Sequence, residues 1–163
     1  MSHVLDYELI SATATIVRDL ALIQPGERVA ITIDTLADPI VAEAVAGQVL
    51  AAGAKPLLLR YSTPSGVGKA ADPDIPYQAI GYAIGNSDVW LEFGYNWILY
   101  SSAQEIALSI NDKLRHVCMS GMDTNMMYRL VAGVNFPLLS QFQEKVTAMI
   151  LSCEISSRNY WKT

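Results

Sequence analysis

Few side chains in this sequence of 163 residues are of the types that do chemistry near neutral pH, and their spacing limits what they could do. Asp34 and Asp38 follow the β-branched run VAITI (29–33). Two carboxylates at that spacing could share acid/base work or hold magnesium. A plainer reading competes: Asp38 stands before Pro39 as a helix N-cap, and Asp34 opens a turn. His116 lies between Arg115 and Val117 inside an apolar run, the setting of a packed histidine rather than a ligand, and His3 stands beside the terminus. The two cysteines, Cys118 and Cys153, are far apart and lack C-x-x-C or Cys/His spacing. Both read as core thiols, so neither a disulfide framework nor a zinc site is expected. Ser120, in MSGMD, lacks the G-x-S-x-G frame of a nucleophile elbow. No glycine-rich turn or P-loop follows a strand, which removes the phosphate cradle that nucleotide binding needs. The residues alone therefore predict no catalytic group and no metal ligand in this chain.

The stretch richest in recognition chemistry is WLEFGYNWILY, 90–100. It gathers Trp90, Phe93, Tyr95, Asn96, Trp97 and Tyr100 around a strand end and places Glu92 within the strand. Aromatic residues at this density line pockets and interfaces as well as cores. An ionised carboxylate in a covered strand is costly, so Glu92 needs either solvent or a partner. These seven residues are the candidates for a substrate-cleft wall or a subunit contact.

The elements that must position them follow from periodicity. Leu5, Leu9, Ala12, Ile16 and Leu20 recur on one helical face over 4–22. After the turn at Pro25–Gly26, VAITI reads as a strand buried on both sides, and Asp38–Pro39 opens a helix that Gly53 stops. PLLLRY (56–61) is a second strand, and Leu57 and Leu59 are expected to be as buried as Val29, Ile31 and Ile33. STPSGVGKAADPDIP is a loop by composition. A short helix near 77–84, a strand in SDVWLEF, a helix opened by overlapping capping boxes (Ser101 with Gln104, Ser102 with Glu105), a strand in LRHVCM, a helix capped by Asp123 and a long helix over 136–151 complete the order. Alternating strands and helices predict a three-layer α/β fold: a doubly wound, mostly parallel sheet with helices on both faces. In such a sheet, ligands bind beyond the carboxyl ends of the strands.

Composition narrows the partners. A net charge of −5 with no basic cluster beyond KLRH (113–116) argues against nucleic acid and anionic membranes. MSHVLDYELI has no secretory pattern and no apolar run reaches the ~20 residues of a membrane span, so a cytoplasmic chain is expected. The hydrophobic share of 52% against 17% charged residues suggests apolar surface covered by a partner, either in a homo-oligomer or by a second subunit.

LALIQPGERVAITID, PIVAEAVAGQVLAAGAKPLLL, SDVWLEF and LRHVCMSGMDTNMMYRL, in that order, resemble the amino-terminal domain of the thermophilic metallo-aminopeptidases (aminopeptidase T and S type) and the related 2,5-dihydroxypyridine dioxygenases. The resemblance implies that residues 1–152 form an α/β amino-terminal-type domain. It further implies that 153–163, CEISSRNYWKT, begin a strand at the junction to a metal-binding domain absent from this sequence. The divalent metal of that family (zinc or cobalt) or its iron would be held by the absent domain, and no metal ligand of the family has a matching position here. The implied role is a noncatalytic domain or subunit of a metal-dependent aminopeptidase-like or ring-cleaving dioxygenase-like enzyme, walling its active cleft. The alternative is a free-standing binding or oligomerisation module of the same fold.

Overall fold

The computed structural model describes residues 7–160, with side chains through Ser152. The chain divides into two compact units at Gly133–Val134. The first contains α1 (Tyr7–Thr15, continued by a π-helical turn at Ile16–Leu20), β1 (Arg28–Asp34), α2 (Pro39–Ala51), β2 (Lys55–Tyr61), a 3-10 segment (Gly68–Asp74), α3 (Tyr77–Gly85), β3 (Val89–Glu92), α4 (Ser102–Ile110), β4 (Arg115–Cys118) and α5 (Thr124–Leu130). The four strands are parallel in the order β2-β1-β3-β4. α1 packs with α2 and α5, and α3 packs with α4. The three-layer, doubly wound α/β architecture expected from the sequence is the one observed.

β1 is central, and every residue after Arg28 is buried, as a strand covered on both faces requires. Ala30 and Trp90 share a core with Ile80 and Ile84 of α3 and Ala103 and Ala107 of α4. α2 starts where Asp38 accepts a hydrogen bond from the Ile40 N–H (3.0 Å), and the chain turns away from it at Gly53 (φ +79°). Each is a device legible in the sequence.

Three expectations need correction. Leu57 is 45% and Leu58 38% exposed, and Leu59 is half-buried, because β2 is an edge of the described sheet, with β1 as its neighbour. The four-residue rhythm of α1 holds for Leu9, Ala12 and Ile16, whereas Leu20 is half exposed. The Ala21 N–H bonds the Ile16 carbonyl (2.8 Å), a five-residue step that shifts the helical phase and buries Val17 and Ala21 instead. Leu5 lies outside the described residues. The third concerns the end: helix α6, which forms the second unit, runs Phe136–Tyr160, so residues 153–160 are helical where a strand was expected. No glycine or proline follows Pro137 to stop it. Residues 161–163 lie outside the described set. Leu138, Phe142, Val146 and Met149 form an exposed stripe at helical spacing on α6.

Polar clamps fix the amino ends of the strands. Asp88 accepts from the Arg28 N–H (2.8 Å) and from its guanidinium (2.8 and 3.1 Å), while the Asp88 N–H returns a bond to the Arg28 carbonyl (2.8 Å). Arg115, from the densest basic stretch, donates to the carbonyls of Ala21 and Leu22 (3.0 Å each) and to Glu27, so that its guanidinium is committed to the fold. No described helix is long and apolar enough to cross a membrane.

Two predictions follow from this packing. Ile31→Ala should cost about 2–5 kcal/mol in urea denaturation, whereas Leu57→Ala should cost roughly 1 kcal/mol or less. Equal losses would contradict the edge position of β2. The Arg28 side chain, then its backbone N–H, draws the Asp88 carboxyl down to about 2. A depressed carboxyl stabilises the fold above the usual carboxylate range and stops doing so as pH falls through the folded-state value. Both partners are more than a third exposed, so Asp88→Asn should cost no more than about 1 kcal/mol at neutral pH. That difference should vanish on acidification to about 2.

Candidate functional site at the carboxyl ends of the strands

From β1 the chain winds outward to β2, then crosses to β3 and β4, so the winding reverses between β1 and β3. Ligand crevices of doubly wound sheets open at such points. Asp34 is fully buried there. Its Oδ1 accepts from the N–H groups of Leu36 (3.0 Å) and Ala37 (2.9 Å), and its Oδ2 from the N–H of Asn96 (3.0 Å) in the loop after β3. Asn96 in turn donates through Nδ2 to the Pro64 carbonyl (2.8 Å), and Thr35 and Thr63 join their hydroxyls at 3.0 Å. Three strand tips are thereby laced together. A Cβ on Gly94 would stand 3.0 Å from Tyr61 Oη and 3.4 Å from Asp34 Oδ2, which makes glycine the residue that fits this crossing.

Asp38 is engaged elsewhere. Besides capping α2, its Oδ2 accepts from the N–H (3.0 Å) and hydroxyl (2.6 Å) of Thr124, tying the start of α2 to the start of α5. Asp123 caps α5 through the Met126 N–H (2.7 Å). Asp34 and Asp38 thus serve separate backbone partners instead of working as a carboxylate pair.

The aromatic stretch divides in two. Trp90, Glu92 and Phe93 are buried within this chain, Asn96 and Trp97 are half-buried, and Tyr95 (58%) and Tyr100 (67%) are exposed. Trp97 meets Tyr100 edge-on at 6.2 Å, and its carbonyl accepts from the Gly68 N–H (3.0 Å). Gly68 has φ +58°, and a Cβ there would lie 3.1 Å from the Leu99 carbonyl oxygen, so glycine lets the 3-10 segment pass under the loop. The capping boxes expected at Ser101 and Ser102 do not form. Asp72 takes the Ser102 N–H (3.0 Å) and hydroxyl (2.6 Å), and Gln104 reaches instead to the Tyr100 N–H (2.7 Å).

Glu92 finds a partner that spacing alone did not reveal. Its Oε1 accepts from the Ile98 N–H, and its Oε2 lies 3.2 Å from His116 Nε2 on β4. His116 stacks on Trp90 (3.8 Å between centroids, 7° between planes), and Trp90 Nε1 donates to Thr32 Oγ1 (2.8 Å). Cys118, expected in the core, is exposed because β4 is the other edge of the described sheet. Partial enclosure raises the thiol's pKa, the hydroxyl of Ser120 at 3.4 Å opposes that, and the charge of Glu92 adds to it. Cys153 lies outside the described side chains. Sequence reasoning separated Glu92, His116 and Cys118 because the first two stand 24 positions apart with a helix between them. The signal that would have joined them is strand register, which pairs Glu92 with Cys118 and Trp90 with His116.

No protein-family profile and no curated protein matches this chain. Among solved structures, it is similar to 2,5-dihydroxypyridine dioxygenase from Pseudomonas putida KT2440, with a TM-score of 0.53 and 16% identity over 71% of this chain. The two share a fold. The chain spans 35% of the length of that dioxygenase.

The Tyr61 hydroxyl is buried and has no hydrogen-bond partner among the described residues. Burial first, then the charges of Glu92 and Asp34, push its ionisation far above the usual range, so it stays a protonated donor. Removing an unpartnered buried hydroxyl relieves its desolvation cost. Tyr61→Phe should therefore leave stability unchanged or raise it by up to about 1 kcal/mol in chemical denaturation. A loss larger than that would reveal a partner for the hydroxyl.

Proposed function

We propose that this chain is the amino-terminal domain or a subunit of a metal-dependent enzyme, aminopeptidase-like or ring-cleaving dioxygenase-like, in which it walls the active cleft. The observation that carries this reading is the partial match. A chain that shares its fold with a dioxygenase over only 35% of that protein's length has the dimensions of one domain of such a plan. The order of motifs from PGERV through AAGAKP to LRHVC supports the same reading. The cleft wall would be the crossing of strand tips at Asp34 and Asn96, bordered by Trp97, Tyr95 and Tyr100. A further domain or subunit would hold the family's zinc, cobalt or iron, and the activity would be hydrolysis at a peptide amino terminus or opening of a dihydroxylated pyridine ring.

The exposure of Tyr95 and Tyr100 and the apolar stripe on α6 also favour a second reading, a noncatalytic binding or oligomerisation module. Tyrosine and tryptophan are the residues that most often anchor contacts. Isolation from the native source under mild conditions, followed by intact-mass measurement and assay of both reactions, separates the two. The first reading expects this sequence to be recovered in continuity or in complex with a metal-bearing domain, with one of the two activities. In that assembly Tyr95→Ala, at a position outside the core, should weaken association or substrate binding by about thirtyfold, or ~2 kcal/mol, with the fold intact. Recovery of this chain alone with neither activity would leave the module reading.

A further inference from the structure

Glu92, His116 and Cys118 project from one face of the β3–β4 pair. The register sets Glu92 beside Cys118, and His116 precedes Cys118 by one pleat repeat on the same side of its strand. One ligand atom from each, a carboxylate oxygen, an imidazole nitrogen and a thiol sulfur, lies within 4.8 Å of the other two. Tetrahedral zinc, with bonds of about 2.0–2.3 Å, sets neighbouring ligand atoms roughly 3.3–3.6 Å apart. The 3.2 Å between Glu92 Oε2 and His116 Nε2 is already close to such an edge. The Cys118 sulfur lies within 4.8 Å of the other two ligand atoms, so a movement of roughly 1 Å at the exposed end of β4 would close the triangle.

We propose that these three side chains form a binding site for one divalent transition-metal ion of the zinc and cobalt class, with a fourth position open to solvent. Two of the ligands are pre-oriented. The Ile98 N–H holds one oxygen of Glu92 and leaves the other directed at His116, and the Trp90 face fixes the imidazole plane. Held ligands of this kind are what a metal site requires of its surroundings. Thiolate, imidazole and carboxylate together select zinc, cobalt or iron over magnesium or calcium. The fully buried Glu92 carboxylate has one backbone donor and the His116 ring beside it, and a dication bound between carboxylate and imidazole would stabilise its charge further. The exposed thiol supplies the entry path. Three protein ligands with one open position is also the arrangement in which zinc binds water or a substrate atom. This site is independent of the cleft-wall reading, since its ligands lie entirely within the chain.

The test is titration of the reduced, metal-stripped full chain with Co(II) alone, followed by displacement with Zn(II). The expected result is one cobalt per chain, with the near-ultraviolet charge-transfer band of a cobalt–thiolate bond. Cys118→Ser, a near-isosteric change at an exposed position, should abolish the band, and Cys153→Ser should keep it. His116→Ala should weaken zinc binding by more than about a hundredfold, beyond the roughly 10–100-fold that loss of a merely supporting residue costs. Circular dichroism checks that variant's fold, and Cys118→Ser decides the matter if His116→Ala does not fold. Absence of the band in the wild-type chain, its persistence in Cys118→Ser, or wild-type affinity in a folded His116→Ala would overturn the proposal.

Discussion

A buried carboxylate must be surrounded by donors, and Asp34 imposes that demand at the point where the sheet changes its direction of winding. It receives three backbone N–H bonds, two from the turn that enters α2 and one from the loop that leaves β3. Hydrogen bonds to a charged group contribute about 1.5–3 kcal/mol each, and a buried charge without them costs several kcal/mol. Neither loop can move without leaving the charge exposed to that cost. Asn96 passes the constraint on to Pro64, and Gly94 allows the backbone to come close enough for the Asn96 N–H to reach. The aromatic loop has its position because of Asp34, and the strand-tip surface has its shape because of the loop.

The outer strands lack this closure. β1 is covered on both faces, while β2 shows leucines to solvent and β4 ends in an exposed cysteine. Edge strands carry unpaired backbone groups and are the places where another chain or element adds. Exposed Leu57 and Leu58 on one edge and the stripe on α6 are among the apolar residues that lie at the surface of the described chain, so part of the high apolar share of the composition is outside the core.

How much of this was legible depended on whether the signal was local. VAITI, the Asp38–Pro39 cap, the Gly53 stop and the Asp123 cap are each decided within a few residues, and each appears as the sequence predicts. The capping boxes at Ser101 and Ser102 were also local signals, yet Asp72, 30 residues earlier, took the Ser102 N–H and hydroxyl, and Gln104 turned to the Tyr100 N–H. Leu57 and Leu59 read as core because a run of leucines does not say whether its strand is central or at an edge. Asp34 looked like an ordinary turn residue, and its third bond, to Asn96, depends on a partner 62 residues away. Trp90 and Trp97 belong to one aromatic run, but the pleat sends the first into the α3–α4 core and the loop leaves the second half-covered.

Glu92 is the point at which local and global preferences disagree most. A glutamate has low strand propensity, is costly to bury, and stands here in a strand otherwise made of Val89, Trp90 and Leu91. A leucine would fill a similar volume without a charge, but it would leave the buried Ile98 N–H and the His116 ring without the carboxylate they meet. The carboxylate is therefore tied to its partners and not to the strand's own hydrogen bonding. What the carboxylate does supply is orientation: it fixes the Ile98 N–H on one side and faces the His116 ring on the other, in a wall that Trp90 stiffens through its bond to Thr32. Departures from local consistency concentrate where a protein binds something. The conflict at Glu92 therefore belongs with the thiol and imidazole beside it, at the β3–β4 tip where a buried carboxylate, an imidazole and a thiol come within 4.8 Å of one another.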